Sequence, residues 1–258
     1  MKNLGTQKIL SVQQAISRCL DIVLLIVSVL FLFVGIYAIV DNHLVIHNAE
    51  IPESLKQSVA NDRSYPDIDL LKETNPEIIA WLTLDNTPVD YPITRTDNNT
   101  KYLTVDYKNK HSVAGNPFVD YRNDGFKDDY TIIYGHRMNQ KKMFSSLVDY
   151  ADASYMQQHL TGSLTTEDGT FALEVIAYSV ENIFETKIYD IVKYRNNSNQ
   201  AILKSLSESA TTINGNYTRD NLQSDQTKNW KLLLLSTCDK DSKHYRDVVL
   251  LRIGEAKN

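Results

Sequence analysis

The chain has 258 residues, of which 42% are hydrophobic and 23% are charged, and its formal net charge is −5. This composition is typical of a globular protein and excludes a disordered one. Because the chain contains no block of basic residues, the charge pattern also argues against nucleic acid as a partner.

The first predicted element is an apolar helix near the N-terminus. Residues 22–40 form a run of 19 residues without a charged side chain, which as a helix would measure about 28 Å, roughly the thickness of the hydrocarbon layer. The run is longer than the apolar part of a signal peptide, which has about 7–15 residues, and no small-residue cleavage site follows it. We therefore expect a membrane anchor rather than a signal peptide or a buried core helix. Lys2, Lys8 and Arg18 precede the run, so the predicted topology is a single-pass protein of the cell membrane with a cytoplasmic N-terminus and an extracellular body.

The sequence divides into four predicted parts. They are a cytoplasmic tail (1–19), a transmembrane helix (20–40), a juxtamembrane stalk with N-terminal helices (41–74) and a C-terminal domain (75–258). Within the stalk, Ile51, Leu55 and Val59 recur at helical spacing. The boundary before the C-terminal domain is set at Asn75-Pro76, a dipeptide that favours a turn.

The C-terminal domain is predicted to be mainly β, with peripheral helices. Its clearest strand is Tyr130–Tyr134, a run of aromatic and β-branched residues that Gly135-His136 follows directly. Thr170–Val180 predicts another strand. The 49 residues between Val180 and Trp230 are too many for an ordinary strand connection, and we expect them to contain a helix around Ala201–Leu206.

Residues 230–254 carry the candidate chemistry. Two apolar runs, Leu232–Leu235 and Val248–Leu251, flank a polar connection that is too short for a helix, so they predict two antiparallel strands. Cys238 would close the first strand and Arg246 would open the second. A thiol beside a guanidinium suggests a nucleophile next to an oxyanion stabiliser. Arg252 is a weaker candidate for the cation, because it lies six residues beyond Arg246, roughly 20 Å along the strand.

Cys238 is a lone thiol in the predicted topology. The other cysteine, Cys19, lies at the inner end of the anchor, so a disulfide between the two is excluded. A free cysteine is often only a small buried hydrophobe, whereas a nucleophilic one needs a base or a cation nearby. Among the six histidines, His136 is the one that directly follows a strong β run. Its alternative interpretation is a surface turn residue.

These residues resemble the sortases, membrane-anchored cysteine transpeptidases of Gram-positive bacteria. The resemblance rests on Tyr134-Gly135-His136, Leu235-Ser236-Thr237-Cys238 and Arg246. It is strongest for class B, through the segments Asn75–Ile93, Gly115–Asn123, Ile132–Met138 and Met143–Leu147. One departure is Leu234, which occupies the position of the first threonine in the family's TLxTC string.

The resemblance implies a closed eight-stranded β-barrel in the C-terminal, catalytic domain. It also implies that Cys238 attacks the carbonyl after the threonine of a sorting motif near the C-terminus of a surface protein or a pilin. His136 would protonate the departing amine and deprotonate the incoming one, and Arg246 would stabilise the oxyanion. Thr237 and Ser236 are expected to contact the substrate. The resemblance implies neither a metal nor a cofactor.

Several functions remain open from the sequence. The first is anchoring of surface proteins to the cell wall, with an amine of a peptidoglycan precursor as the acceptor. A close variant is a pilus polymerase, in which the acceptor is a pilin lysine. The second class is a cysteine peptidase that releases its product to water, and the third is a membrane-tethered binding domain without catalysis.

Overall fold

A computed structural model describes residues 3–48, 66–138, 141–194, 199–238 and 244–256. The chain forms two compact units, residues 1–47 and residues 48–258. The first unit is a continuous helix, α1 (Asn3–Asn48), which runs beyond both ends of the predicted span. Its segment Val12–Val40 is long and apolar enough to cross a membrane, a test that a signal sequence also passes. The helical spacing predicted around Ile51–Val59 lies outside the described residues.

Eight strands of the second unit close into a barrel. They are β1 (Ile78–Leu84), β2 (Asp90–Thr94), β3 (Phe118–Val119), β4 (Tyr130–Gly135), β5 (Thr161–Thr166), β6 (Gly169–Asn182), β8 (Lys231–Cys238) and β9 (Tyr245–Ala256). Their order is β5-β1-β2-β3-β4-β8-β9-β6, and β6 pairs again with β5. A two-residue strand, β7 (Thr212–Ile213), extends the sheet from β6. The predicted eight-stranded barrel is confirmed.

The helices of this unit lie around the barrel. They are α2 (Ile68–Thr74), α3 (Ala153–Gln158), α4 (Ile191–Tyr194), α5 (Asn199–Ser209) and α6 (Arg219–Leu222), with 3₁₀ turns at Lys101–Leu103, Ser145–Ala151 and Asp225–Thr227. Helix α5 confirms the helix expected between Val180 and Trp230. It buries Ile202, Leu203 and Leu206 against the barrel's outer surface.

Strands β4, β8 and β9 are buried on both faces, which explains why their apolar runs are continuous rather than alternating. One set of side chains fills the barrel interior, and it includes Ile133, Leu233, Leu235, Val249 and Leu251. The other set forms an outer core with the helices of residues 181–229, a segment here called the insertion. This set includes Ile132, Leu232, Leu234, Val248 and Leu250. The parity of a position along these strands therefore tells whether it belongs to the inner or the outer face.

Candidate active site

The three predicted catalytic positions lie at one end of three neighbouring strands. Strand β4 pairs in parallel with β8, with Gly135 opposite Thr237. Strand β8 pairs in antiparallel fashion with β9, with Cys238 opposite Arg246, which confirms the predicted pair of antiparallel strands. His136 directly follows the last paired residue of β4, so the backbone of positions 136, 238 and 246 forms one row across the sheet.

The same three positions continue the outer-face series of their strands. The outer-core residues are spaced by two, and they are Ile132 and Tyr134 in β4, Leu232 and Leu234 in β8, and Val248 and Leu250 in β9. Positions 136, 238 and 246 are the next members of these series at the strand ends. Since positions two apart in a strand belong to the same face, the backbone row continues the series of the face on which the insertion packs.

The ring of His136 is partly exposed and is held by the connection between β2 and β3. Its Nε2 atom lies 2.7 Å from the carbonyl oxygen of Leu103. Since a carbonyl only accepts hydrogen bonds, Nε2 carries the hydrogen, and in the neutral imidazole Nδ1 is the basic nitrogen. Gly115 lies against the same ring: its φ is +59°, and a Cβ atom there would be 3.1 Å from Cδ2 of His136.

Phe144 fixes the end of β4. Its backbone N–H donates to the carbonyl of His136 at 2.9 Å, and its ring is fully buried. The ring packs so closely on Gly135 that an added Cβ would lie 2.6 Å from Cδ2 of Phe144. Glycine is required there by this close approach, and this contact links the two sequence segments around His136 and Phe144.

Arg246 is the second residue of β9 and is partly buried. Its Nη1 atom donates to the carbonyl of Tyr245 at 2.9 Å. Glu181 of β6 is the residue opposite Arg246, and its carboxylate accepts hydrogen bonds from Ser179 and Ser209. A cavity of about 580 Å³ opens here between the end of β6, α5 and Tyr245.

The two residues predicted to contact substrate have buried side chains. Ser236 is 1% exposed, and its Oγ atom lies 2.9 Å from the hydroxyl of Tyr189, whose ring stacks on that of Tyr134. Thr237 is 2% exposed and belongs to the inner-face series of β8. Its Oγ1 atom is buried and has no hydrogen-bond partner in the described part of the chain. Substrate contact by Ser236 and Thr237 stays a prediction.

A buried carboxylate supports the site from behind Tyr134, and no sequence argument singled it out. The side chain of Asp120 accepts hydrogen bonds from Tyr134 at 2.9 Å, from Arg122 at 2.7 Å and from Asn99 at 2.9 Å. Burial alone would raise the pKa of Asp120, but the hydrogen bonds and the charge of Arg122 outweigh it, so the pKa lies below its usual value. Burial, and then the Asp120 charge, raises the pKa of Tyr134. In the sequence, Asp120 begins a polar run, Asp120–Asn123, directly after β3, and it lies within the segment Gly115–Asn123 that carries part of the class B resemblance.

A metal site has no support in the residues that the structure describes, because no group of three or more His, Cys, Asp or Glu side chains among them could hold an ion. No family model matches the chain.

Comparison with known proteins gives relatives that share most of the chain. Sortase B of Listeria monocytogenes is 29% identical over 187 residues, which cover 70% of this chain and 71% of that protein. The crystal structure of sortase B from B. anthracis in complex with AAEK1 has a TM-score of 0.63 and 27% identity, and the match covers 83% of this chain and 97% of that one. A Streptococcus pyogenes class B sortase involved in pilus biogenesis has a TM-score of 0.62 and 26% identity, with 72% and 96% covered.

Proposed function

We propose that this chain, which belongs to the sortase family and is class B-like within it, is a membrane-anchored cysteine transpeptidase that joins surface proteins to an amine. The observation that carries the proposal is the backbone register of β4, β8 and β9, in which positions 136, 238 and 246 are neighbours. The long apolar segment of α1 supports the membrane anchor.

In the first half of the proposed reaction, the thiolate of Cys238, whose proton is held by His136, attacks a carbonyl carbon of the sorting motif. A bond forms between sulfur and carbon, and the negative charge that develops on the carbonyl oxygen is stabilised by Arg246. The bond between carbon and nitrogen then breaks, and the departing amine takes a proton from His136. The product is a thioester between Cys238 and the N-terminal part of the substrate.

In the second half, an incoming amine attacks the thioester carbon and gives its proton to His136, and the thiolate of Cys238 leaves. The contact between Nε2 and the Leu103 carbonyl supports this cycle. Because that contact keeps the hydrogen on Nε2, the proton exchanged with substrate and acceptor is the one on Nδ1. The backbone carbonyl thus orients the imidazole as a carboxylate does in a catalytic triad.

Two acceptors are consistent with this reaction. An amine of a peptidoglycan precursor would make the protein a cell-wall anchoring enzyme, which we take as its function. A pilin lysine is the second candidate, because one relative of similar fold is a class B sortase involved in pilus biogenesis.

The test uses the full chain in detergent micelles, incubated with a library of candidate sorting peptides and analysed by mass spectrometry. We expect a thioester adduct on the peptide that contains Cys238, and we expect none in Cys238→Ala or with peptides that lack a threonine at the cleavage site. Failure of every peptide to form the adduct would reject the transpeptidase.

The fate of the adduct separates the alternatives. Addition of triglycine or of a lysine-containing peptide should convert the thioester into an amide with the better acceptor. Release to water at an unchanged rate in the presence of both amines would instead identify a peptidase. Unchanged peptide binding by Cys238→Ala without any adduct in the native protein would identify a binding domain.

A further inference from the structure

A second row of polar residues lies behind the catalytic row, on the inner face of the barrel. Its members are the sequence neighbours of the three catalytic residues: Arg137 follows His136, Thr237 precedes Cys238 and Asp247 follows Arg246. Asp247 lies directly opposite Thr237 in the register of β8 and β9. It is 2% exposed and accepts a hydrogen bond from the hydroxyl of Tyr178, a residue of the inner core.

An ion pair between Arg137 and Asp247 connects the two ends of this row. The Nη1 atom of Arg137 lies 2.9 Å from Oδ2 of Asp247, and the two side chains are 21% and 3% exposed. Strands β4 and β9 are separated by β8 and share no backbone hydrogen bonds, so their backbones are about 10 Å apart. The pair therefore links the segment that follows β4 directly to the start of β9, across the end of β8.

This link acts where the backbone ladder has ended. The last paired residues of β4 and β8 are Gly135 and Thr237, so His136 and Arg137 extend beyond the ladder with β8. Beyond that point, the position of His136 relative to Arg246 depends on contacts made by side chains and by the following loop. The Arg137–Asp247 pair is such a contact, and it connects the immediate neighbours of these two residues.

We propose that Arg137 and Asp247 are positioning residues for the reaction. Their ion pair holds the end of β4 at a fixed distance from the start of β9, and so holds the imidazole of His136 in line with Cys238 and Arg246. An ion pair suits this role because its hydrogen bonds are directional. Apolar side chains in the same place would bury the barrel end at a lower cost of desolvation. The inference rests on the proposed function, since positioning is defined here by that reaction.

The test compares four variants of the full chain in detergent micelles. Arg137→Gln removes the charge and the link, and Arg137→Lys keeps the charge. Tyr178→Phe is the matched control, because it removes a hydrogen bond to the same carboxylate but joins β6 to β9, which are already paired. The double variant Arg137→Gln with Asp247→Asn removes both charges, so that no unpaired carboxylate is left buried if the single variant does not fold.

The first measurement is the second-order rate constant for acyl-enzyme formation, normalised to the folded fraction from circular dichroism. We expect a loss of about tenfold or more in Arg137→Gln and in the double variant. Arg137→Lys and Tyr178→Phe should stay within about threefold of the native protein. Equal losses in Arg137→Gln and Tyr178→Phe, or native rates in the double variant, would overturn the proposal.

The second measurement needs no peptide substrate. Iodoacetamide alkylates a thiolate, forming a bond from sulfur to carbon and releasing iodide, and its rate at Cys238 can be followed on the peptide containing that residue. We expect the midpoint of the pH–rate profile to move by about 0.5 pH unit or more in Arg137→Gln and to stay in place in Tyr178→Phe. A midpoint that is the same in all variants would reject the positioning role. A shifted midpoint in a protein that forms no acyl-enzyme would reject the proposed function alone.

Discussion

The contact between Gly135 and Phe144 permits a quantitative test of how the barrel positions His136. A Cβ atom added at Gly135 would lie 2.6 Å from Cδ2 and 2.7 Å from Cγ of a fully buried ring. The ring or the strand must move by roughly 1 Å to restore van der Waals contact. Overpacking of this kind costs about 1–3 kcal/mol, and 1 kcal/mol changes the Tm of a body of this size by about 2–4 °C.

We therefore expect Gly135→Ala to lower the Tm by about 4–8 °C, the middle of that range. A displacement of roughly 1 Å at the residue before His136 should also reduce the rate of acyl-enzyme formation by up to about 100-fold. The measurements are thermal unfolding by circular dichroism and the rate of thioester formation with a sorting peptide.

Two further variants make the experiment specific. Gly254→Ala is the control, because Gly254 also lies in a strand and its added Cβ would approach no atom closer than 3.3 Å, the carbonyl oxygen of Ala172. Phe144→Leu combined with Gly135→Ala should recover part of the lost activity, since a smaller side chain leaves room for the methyl group. If Gly135→Ala behaves like Gly254→Ala in both assays, the ring does not position His136.

Three further predictions concern the surroundings of the site. Gly115→Ala would place a side chain at a positive φ, against the carbonyl of Tyr102 and beside His136. We expect the free energy of unfolding to fall by about 1 kcal/mol or more and the pH profile of acyl-enzyme formation to shift. An unchanged pH profile would contradict the contact with His136. The fold lowers the pKa of the Asp120 carboxyl below its unfolded value of 3.8. The ionised carboxylate therefore stabilises the fold fully above pH 3.8, and this stabilisation is lost as the pH falls through the lower pKa of the folded state. Asp120→Asn should therefore lower the Tm at pH 7 and flatten its decline in acid, and a native acid limb would refute this. Ser236→Ala removes a buried hydrogen bond to Tyr189, which should lower the Tm by about 2–4 °C. If Ser236 also contacts the substrate as predicted, the KM for the sorting peptide should rise. A lower Tm with an unchanged KM would reject that contact.

The strands of the site were predictable where burial on both faces produces a continuous apolar run. Leu232–Leu235 and Val248–Leu251 lie in β8 and β9 as expected, because their local pattern is distinctive and the connection between them is short. The pairing of β4 with β8 is different. About 100 residues separate Gly135 from Thr237, and a parallel pairing at that separation leaves no local signal. The residue pattern marked His136 as the histidine that follows a strand, but only the resemblance to a family predicted that it lies beside Cys238.

The supporting contacts were not predictable for a related reason. The group that holds Nε2 of His136 is the backbone carbonyl of Leu103. Every residue has a backbone carbonyl, so the sequence does not distinguish Leu103 from any other residue. Arg137 and Asp247 are charged residues of an ordinary kind, 110 positions apart. Charged residues of this kind usually form ion pairs on the surface, and only the fold shows that the carboxylate of Asp247 is buried.

The alternation of a β-strand connects these two observations. At the end of each strand of the site, two adjacent residues belong to opposite faces: one is in the row proposed to be catalytic and its neighbour is in the inner polar row. In the sequence the pairs read His136-Arg137, Thr237-Cys238 and Arg246-Asp247, and nothing separates the member that would meet substrate from the member that supports it. Once the parity of each strand is fixed by its apolar residues, the division follows. Substitutions in the first row should therefore abolish the chemistry at constant stability, whereas those in the second row should change rate and stability together.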